Sequence, residues 1–185
     1  NNEFSKIEFL KACTYLKSSR PTAVNLQYEV DRVIELVLNN KETSNLALVV
    51  EKFGDTQIIE SEIKNRKMAK LALEDLDCRY YKKEYKILTH CNTGFLACGS
   101  LGTALGVIQY LGEQSRIEKA WVDETRPYLQ GSRLTAYELD KLGIEHEIVV
   151  EGAASHLMKN RMVDTIFVGA DRIVNNGDTA NKIGT

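Results

Sequence analysis

The sequence predicts an α/β protein, a helical N-terminal domain followed by a parallel βαβ domain. Three observations carry that expectation. The first 84 residues contain little that reads as strand. From Tyr85 onward, short apolar or β-branched runs alternate with runs at helical spacing, the pattern of a doubly wound parallel sheet with right-handed crossovers. Residues 85–94, Tyr-Lys-Ile-Leu-Thr-His-Cys-Asn-Thr-Gly, then read as strand, tight turn and helix start in one stretch. The expected division is a helical domain over 1–84 and an α/β domain over 85–185.

In the first part, Phe4, Ile7, Leu10, Cys13 and Leu16 are spaced for an amphipathic helix over 4–17. Ser18-Ser19-Arg20-Pro21 ends it. A second helix starts near Thr22 and runs to about Leu38, with Val30, Val33, Ile34 and Val37 on one face. Residues 39–45 form a polar connector. Residues 46–76 read as mostly helical with a break at Gly54-Asp55, and the charged stretch 60–75 has a solvated face. In the second part, strands are expected at 86–90, 119–122, 147–150 and 165–168, and helices at 95–111, 132–142 and 153–160. Gly99, Gly102 and Gly106 follow the helix start and lack Gly-x-Gly-x-x-Gly spacing. They mark close packing or a loosened helix rather than a nucleotide fingerprint.

The bulk numbers narrow the class. The 185 residues are 43% hydrophobic and 27% charged, suited to one globular unit or two small ones. A net charge of −2 leaves no electrostatic footprint for nucleic acid or an anionic membrane. No apolar run reaches transmembrane length, and Glu3, Lys6, Glu8 and Lys11 interrupt any signal-peptide core. Cys13, Cys78, Cys91 and Cys98 are dispersed, without disulfide-rich or zinc spacing, which points to a reduced, cytoplasmic compartment. Adjacent His90 and Cys91 point to opposite sides of an extended chain. The chain opens at Asn1 without a methionine and stops at Thr185 in mid-pattern, as a fragment or cleaved product would.

Cys91 falls at the carboxyl end of a strand and just before a helix N-terminus. Ligands of open α/β sheets bind there, and the free amides and dipole favour anions such as phosphate and a reactive thiol. Residues 91–94, 123–133, 169–172 and 176–182 are all expected on this edge. One thiol, several carboxylates, two amides and a lysine suit acid–base chemistry on a small anionic substrate. Each has a plainer reading. Cys91 fits as a small buried residue, Asp171 as a cap, and Asn176-Gly177 as a turn. Asp123, Glu124, Arg126 and Arg133 fit a surface salt-bridge network, and Lys182 a solvated face.

Together the motifs resemble the methylthioribose-1-phosphate isomerase family, relatives of the regulatory subunits of translation initiation factor 2B. The resemblance rests on Ser19-Arg20-Pro21-Thr22-Ala23-Val24-Asn25-Leu26, Leu88-Thr89-His90-Cys91-Asn92-Thr93-Gly94, Gly102-Thr103-Ala104-Leu105-Gly106-Val107-Ile108, and residues 123–139 and 169–185, in consistent order. It implies a helical N-terminal domain followed by a Rossmann-like domain, usually as a homodimer. It implies Cys91 as the active-site cysteine and Asp171 as the proton donor. Arg20, Gln130, Asn181 and Lys182 match residues that contact the sugar phosphate.

The activity so implied is the aldose–ketose isomerisation of 5-methylthioribose 1-phosphate to 5-methylthioribulose 1-phosphate, in methionine salvage. No metal or nicotinamide cofactor is implied, and the partners are a small sugar phosphate and a second copy, not nucleic acid or membrane. The related functions are a ribose-1,5-bisphosphate isomerase and a non-catalytic regulatory subunit of the initiation-factor type. The cysteine–aspartate pair and Asp-Glu-Thr-Arg-Pro-Tyr-Leu-Gln-Gly favour the methylthioribose enzyme. Cys98 and Leu101 stand where the family more often has a small residue and an aromatic one. The family carries an Arg-Gly-Ala-Pro motif upstream and continues its sheet downstream, so N- and C-terminal segments of the same protein are expected to complete the site.

Overall fold

A computed structural model describes residues 5–20, 24–40 and 45–185. They fall into two compact units, Asn1–Gln57 with Asp171–Ala180, and Ile58–Ala170 with Asn181–Thr185.

Helix α1 (Lys6–Ser18) starts at Ser5, whose hydroxyl accepts the Glu8 amide at 3.3 Å. Cys13 is its buried residue, whereas Ile7, Tyr15 and Leu16 are exposed. The expected apolar stripe therefore does not form. Its residues recur strictly every third position, and each such step drifts about 60° around a helix of 3.6 residues per turn. Helix α2 (Asn25–Asn39) buries Val30 and Val37, and its Asp31 pairs with Lys17 at 2.6 Å. Phe4, the helix start expected near Thr22, and most of the polar connector lie outside the described residues.

Helix α3 (Leu46–Arg79) runs unbroken through Gly54-Asp55, where a break was expected. One glycine costs about 1 kcal/mol against alanine, too little to stop 34 residues. Pairs at i,i+4, namely Glu60–Lys64, Glu62–Arg66, Lys70–Glu74 and Asp75–Arg79, support its later part. Near its end, Arg116 grips Asp77 and the carbonyls of Lys82 and Lys83, tying the helix to the strand that follows. The guanidinium also holds the Asp77 carboxyl below its ordinary range.

The sheet comprises β1 (Tyr85–Thr89), β2 (Ile117–Asp123), β3 (His146–Val149) and β4 (Thr165–Phe167). All pairs are parallel, in the order β3-β2-β1-β4. Each strand begins and ends within a residue or two of its expected place. The helices between them are α4 (Phe95–Cys98), α5 (Ala104–Glu113), α6 (Ala136–Lys141) behind a π-helical turn, and α7 (Ala154–Lys159). Ile87 and Val122 face one layer, with Leu105, Ile108, Leu111 and Leu139, plus Ala69 and Leu76 of α3. Leu88 and Trp121 face the other, with Leu157 of α7. The central strand is thus buried on both sides, which is why it reads as a continuous apolar run. Because α3 supplies core residues here, the packing units divide the chain earlier than the change to strand at Tyr85. Strand order reverses at β1, so the crevice at the carboxyl ends of β1 and β4 is the topological switch point. After β4 the chain forms an antiparallel hairpin, β5 (Arg172–Ile173) and β6 (Thr179–Ala180), within the first unit.

The helix expected over 95–111 is two helices. Gly99 (φ 70°) ends α4, and Gly102 (φ 81°) turns the chain back onto the Cys91–Gly94 turn. Thr93 receives the second helix there, its carbonyl accepting from Thr103 at 2.7 Å and its hydroxyl from Leu105 at 2.9 Å. A Cβ on Gly102 would lie 2.5 Å from the backbone of Gly94, whereas one on Gly99 would meet open space. Backbone strain and overpacking each cost about 1–3 kcal/mol. Gly102→Ala should therefore destabilise the protein clearly more than Gly99→Ala in chemical denaturation. Equal losses would contradict this packing.

Candidate active site

The turn leaving β1 is built from four consecutive side chains with different jobs. Thr89 pairs with Val122 in the parallel register, so the next residues, His90 and Asp123, come together at the strand ends. His90 is 2% exposed, with Nδ1 3.0 Å from Asp123 Oδ2 and Nε2 2.9 Å from the Ile183 carbonyl. Both neighbours are acceptors. A neutral imidazole carries one N–H and would set a bare lone pair against one of them, so the geometry calls for the imidazolium. The hydrogen bond to Asp123 pushes the His90 pKa up against the opposing effect of burial. The Ile183 carbonyl and the charges of Asp123 and Glu151 add to it.

Cys91 is half-buried and lies in the left-handed region, φ 63°. Its amide donates to Thr125 Oγ1 at 2.8 Å and its carbonyl accepts from Thr135 Oγ1 at 2.5 Å. Both threonines are fully buried. Two hydroxyls thus clamp the peptide units on either side of the thiol and hold a strained backbone in place, as happens at functional turns. The cysteine is not merely filling the core.

Asn92 and the helix start after it overturn one expectation. The buried Glu138 carboxylate of α6 accepts from the Phe95 amide at 2.8 Å, the Leu96 amide at 3.2 Å and Asn92 Nδ2 at 2.9 Å. The amides expected to receive a substrate phosphate are already bonded to the protein's own anion. Helix α4 is also only four residues long.

The loop after β2 completes this edge. Asp123 is buried on His90 and takes no part in a surface salt-bridge network, while Arg133 Nη1 donates to the Tyr128 carbonyl at 3.3 Å. Lys182 Nζ lies 5.4 Å from the Tyr128 ring centroid, and Asn181 Nδ2 donates to Thr185 Oγ1 at 3.2 Å. Among the described residues, the buried acceptors Asn92 Oδ1, Asp123 Oδ1 and Gln130 Oε1 have no hydrogen-bond partner. Unpaired buried acceptors are costly, and hydroxyl groups of a ligand or water can satisfy them. The end of β4 joins this edge through Gly169, whose backbone packs on the Thr93 methyl.

The structure therefore collects Cys91, Gln130, Asn181 and Lys182 on one edge of one unit. Arg20 and Asp171 belong to the other unit. Arg20 is exposed just past α1. Asp171 is half-buried and opens the hairpin, its amide donating to the Ala180 carbonyl at 2.9 Å. Asn176-Gly177 is the hairpin turn, with Gly177 at φ 90° and Asn176 Oδ1 accepting from Asp178 at 3.1 Å. A cleft lined by Glu84, Gln109, Glu113, Ile117, Ile144 and Glu145 opens at the opposite, amino-terminal edge of the sheet.

These features define a class: a doubly wound α/β protein with a rigidly held cysteine at its strand-end crevice, preceded by long helices. The chain belongs to the Initiation factor 2 subunit family, whose sequence model matches residues 2–185. It is 43% identical over 190 residues to a methylthioribose-1-phosphate isomerase of Acetivibrio thermocellus, covering 100% of this chain and 54% of that protein. The crystal structure of 5-methylthioribose 1-phosphate isomerase from Pyrococcus horikoshii OT3 superposes with a TM-score of 0.84 at 38% identity, over 100% of this chain and 52% of that one. The translation initiation factor eIF-2B, subunit delta, from A. fulgidus superposes with a TM-score of 0.77 at 35% identity, over 94% of this chain and 51% of that one. The chain spans about half the length of the relatives it matches.

Glu138→Ala should destabilise the protein by about 3 kcal/mol, because it strips one buried and two partly buried donors of a charged acceptor. Glu138→Gln, which retains one acceptor oxygen, should lose less. A Glu138→Ala protein with wild-type melting temperature would show that the carboxylate does not hold this turn together.

Proposed function

We propose that this chain is part of a methylthioribose-1-phosphate isomerase, converting 5-methylthioribose 1-phosphate to 5-methylthioribulose 1-phosphate in methionine salvage. The observation that carries the reading is the seat of Cys91 at the switch point, clamped by Thr125 and Thr135 on the strand-end edge that also carries Gln130 and Lys182. Relatives and a solved structure bearing that name, matched along the whole chain, support it. In functional terms residues 1–84 act as the helical domain and 85–185 as the Rossmann-like catalytic domain.

The chemistry follows from the substrate. Its anomeric carbon carries phosphate, so no free aldehyde forms and the ring itself must open. Asp171 protonates the ring oxygen as the C1–O bond breaks. The hydrogen on C2 moves to C1 beside Cys91, and the C2 hydroxyl gives up its proton as the ketone forms. One proton enters at the ring oxygen and one leaves from the hydroxyl, so the step balances. Arg20, Asn181 and Lys182 hold the phosphate, and Gln130 accepts from a sugar hydroxyl through its buried Oε1.

Among the described residues no helix is long and apolar enough to cross a membrane. The enzyme would act in the cytoplasm as a homodimer, completed by further segments of the same protein.

The likeness to an eIF-2B subunit supplies the rival, a non-catalytic binding module. A substrate panel on the full protein separates these readings. Methylthioribose 1-phosphate should be isomerised and ribose 1,5-bisphosphate should not. The reverse preference would make it a bisphosphate isomerase, and no turnover of either would favour the regulatory reading. Cys91→Ser and Asp171→Asn should each reduce kcat by at least about 100-fold without a lower melting temperature. Lys182→Ala should raise KM roughly tenfold to a hundredfold, the worth of a charge-assisted hydrogen bond. Unchanged kinetics in any variant would remove that residue from the mechanism.

A further inference from the structure

We infer that His90 is a positioning residue: anchored on Asp123, its ring docks the Ile183 carbonyl and so places the backbone that carries Asn181 and Lys182. This rests on the reading above, in which that pair binds the sugar phosphate.

His90 is adjacent to Cys91 but does not face substrate. It is 2% exposed, and each ring nitrogen is occupied. The bonds within residues 181–185 are local: Thr185 N–H and Oγ1 both donate to the Lys182 carbonyl, at 3.2 and 2.7 Å, and Asn181 Nδ2 donates to Thr185 Oγ1. Among the described residues, the hydrogen bond that ties this turn to the strand ends comes from His90. The fit is close. Gly184 has φ 94°, and a Cβ there would lie 3.0 Å from His90 Cε1 and 3.5 Å from the Glu151 carboxyl carbon. The backbone thus runs flat against the ring, immediately after the two residues assigned to the phosphate.

The charged and titratable groups around the ring are Asp123 at the end of β2, Glu151 after β3, Lys182 one residue before Ile183, and the neighbouring Cys91 thiol. Both carboxylates favour the imidazolium, which alone donates from both nitrogens. Since the folded-state pKa of His90 is raised, the double anchor is complete below the ordinary histidine value of about 6.5. It is lost as pH rises through the raised value.

The test uses the full protein, methylthioribose 1-phosphate, and two isosteric variants. His90→Asn keeps a donor near Nδ1 but cannot reach Ile183, whereas His90→Gln places a donor near Nε2. His90→Asn should raise KM about tenfold, the loss of one hydrogen bond of roughly 1.4 kcal/mol, with kcat changed less than about threefold. Amide exchange at residues 183–185 should accelerate by a similar factor. His90→Gln should restore both. Wild-type KM should climb with pH as the ring loses its second proton, and His90→Gln should lack that limb. Wild-type KM and exchange in His90→Asn would overturn the inference, as would a collapse of kcat at constant KM, which would place His90 in the chemistry itself. If His90→Asn does not fold, the His90→Gln pH profile decides alone, a retained limb counting against the inference. Hydrogen exchange reports on the anchor even if the wild-type protein fails to isomerise the substrate, so failure of the function and failure of the inference are distinguishable.

Discussion

A buried imidazole with an acceptor on each side governs this edge of the sheet. His90 lies one residue past β1 and Asp123 is the last residue of β2, so the parallel register alone brings them together. Burying a charge is expensive unless it is paired and fully hydrogen-bonded. Here both ring nitrogens are bonded, one to a carboxylate and one to a backbone carbonyl. Breaking either contact would leave a charge or a donor stranded in the core. The register of the central strands, the turn that bears Cys91 and the segment that bears Lys182 are thus coupled through one side chain.

A second constraint is the carboxylate of Glu138. A helix start beside a strand end normally offers bare amides to an anionic ligand. In this protein the amides of Phe95 and Leu96 are capped by Glu138, so their contribution goes to holding the turn. Those amides are therefore not free to receive an anion. Lys182 stands above the Tyr128 ring, where cation–π contact restrains a flexible side chain without neutralising it. The cysteine turn is rigid, held by Thr125, Thr135 and the Glu138–Asn92 bond. Among the described residues, Asn92 Oδ1, Asp123 Oδ1 and Gln130 Oε1 on this edge have no hydrogen-bond partner.

Local pattern carried much of this fold. All four parallel strands, and the position of Cys91 at the end of the first, depend on short runs whose meaning is complete in the sequence around them. The misreadings have specific causes. Gly54 looked like a breaker, but the ion pairs farther along α3 outweigh one glycine. Gly99 and Gly102 do break a helix, because both take positive φ, which spacing does not encode. The α1 stripe failed through its three-residue period. The site was less legible because its partners are distant in sequence. Glu138 bonds an amide 43 residues earlier, and His90 bonds a carbonyl 93 residues later. A register count from Thr89 to Val122 would have exposed the His90–Asp123 pair, but only once the strands were known to be adjacent and parallel.

The most direct measurement is nitrogen-15 NMR of the His90 ring in the full protein at a pH below the ordinary histidine value of about 6.5. The account predicts that both ring nitrogens carry hydrogen and exchange it slowly, with coupling to the Asp123 carboxylate and the Ile183 carbonyl. A ring with one bare nitrogen at that pH would contradict it, since a neutral imidazole cannot hold both acceptors at once.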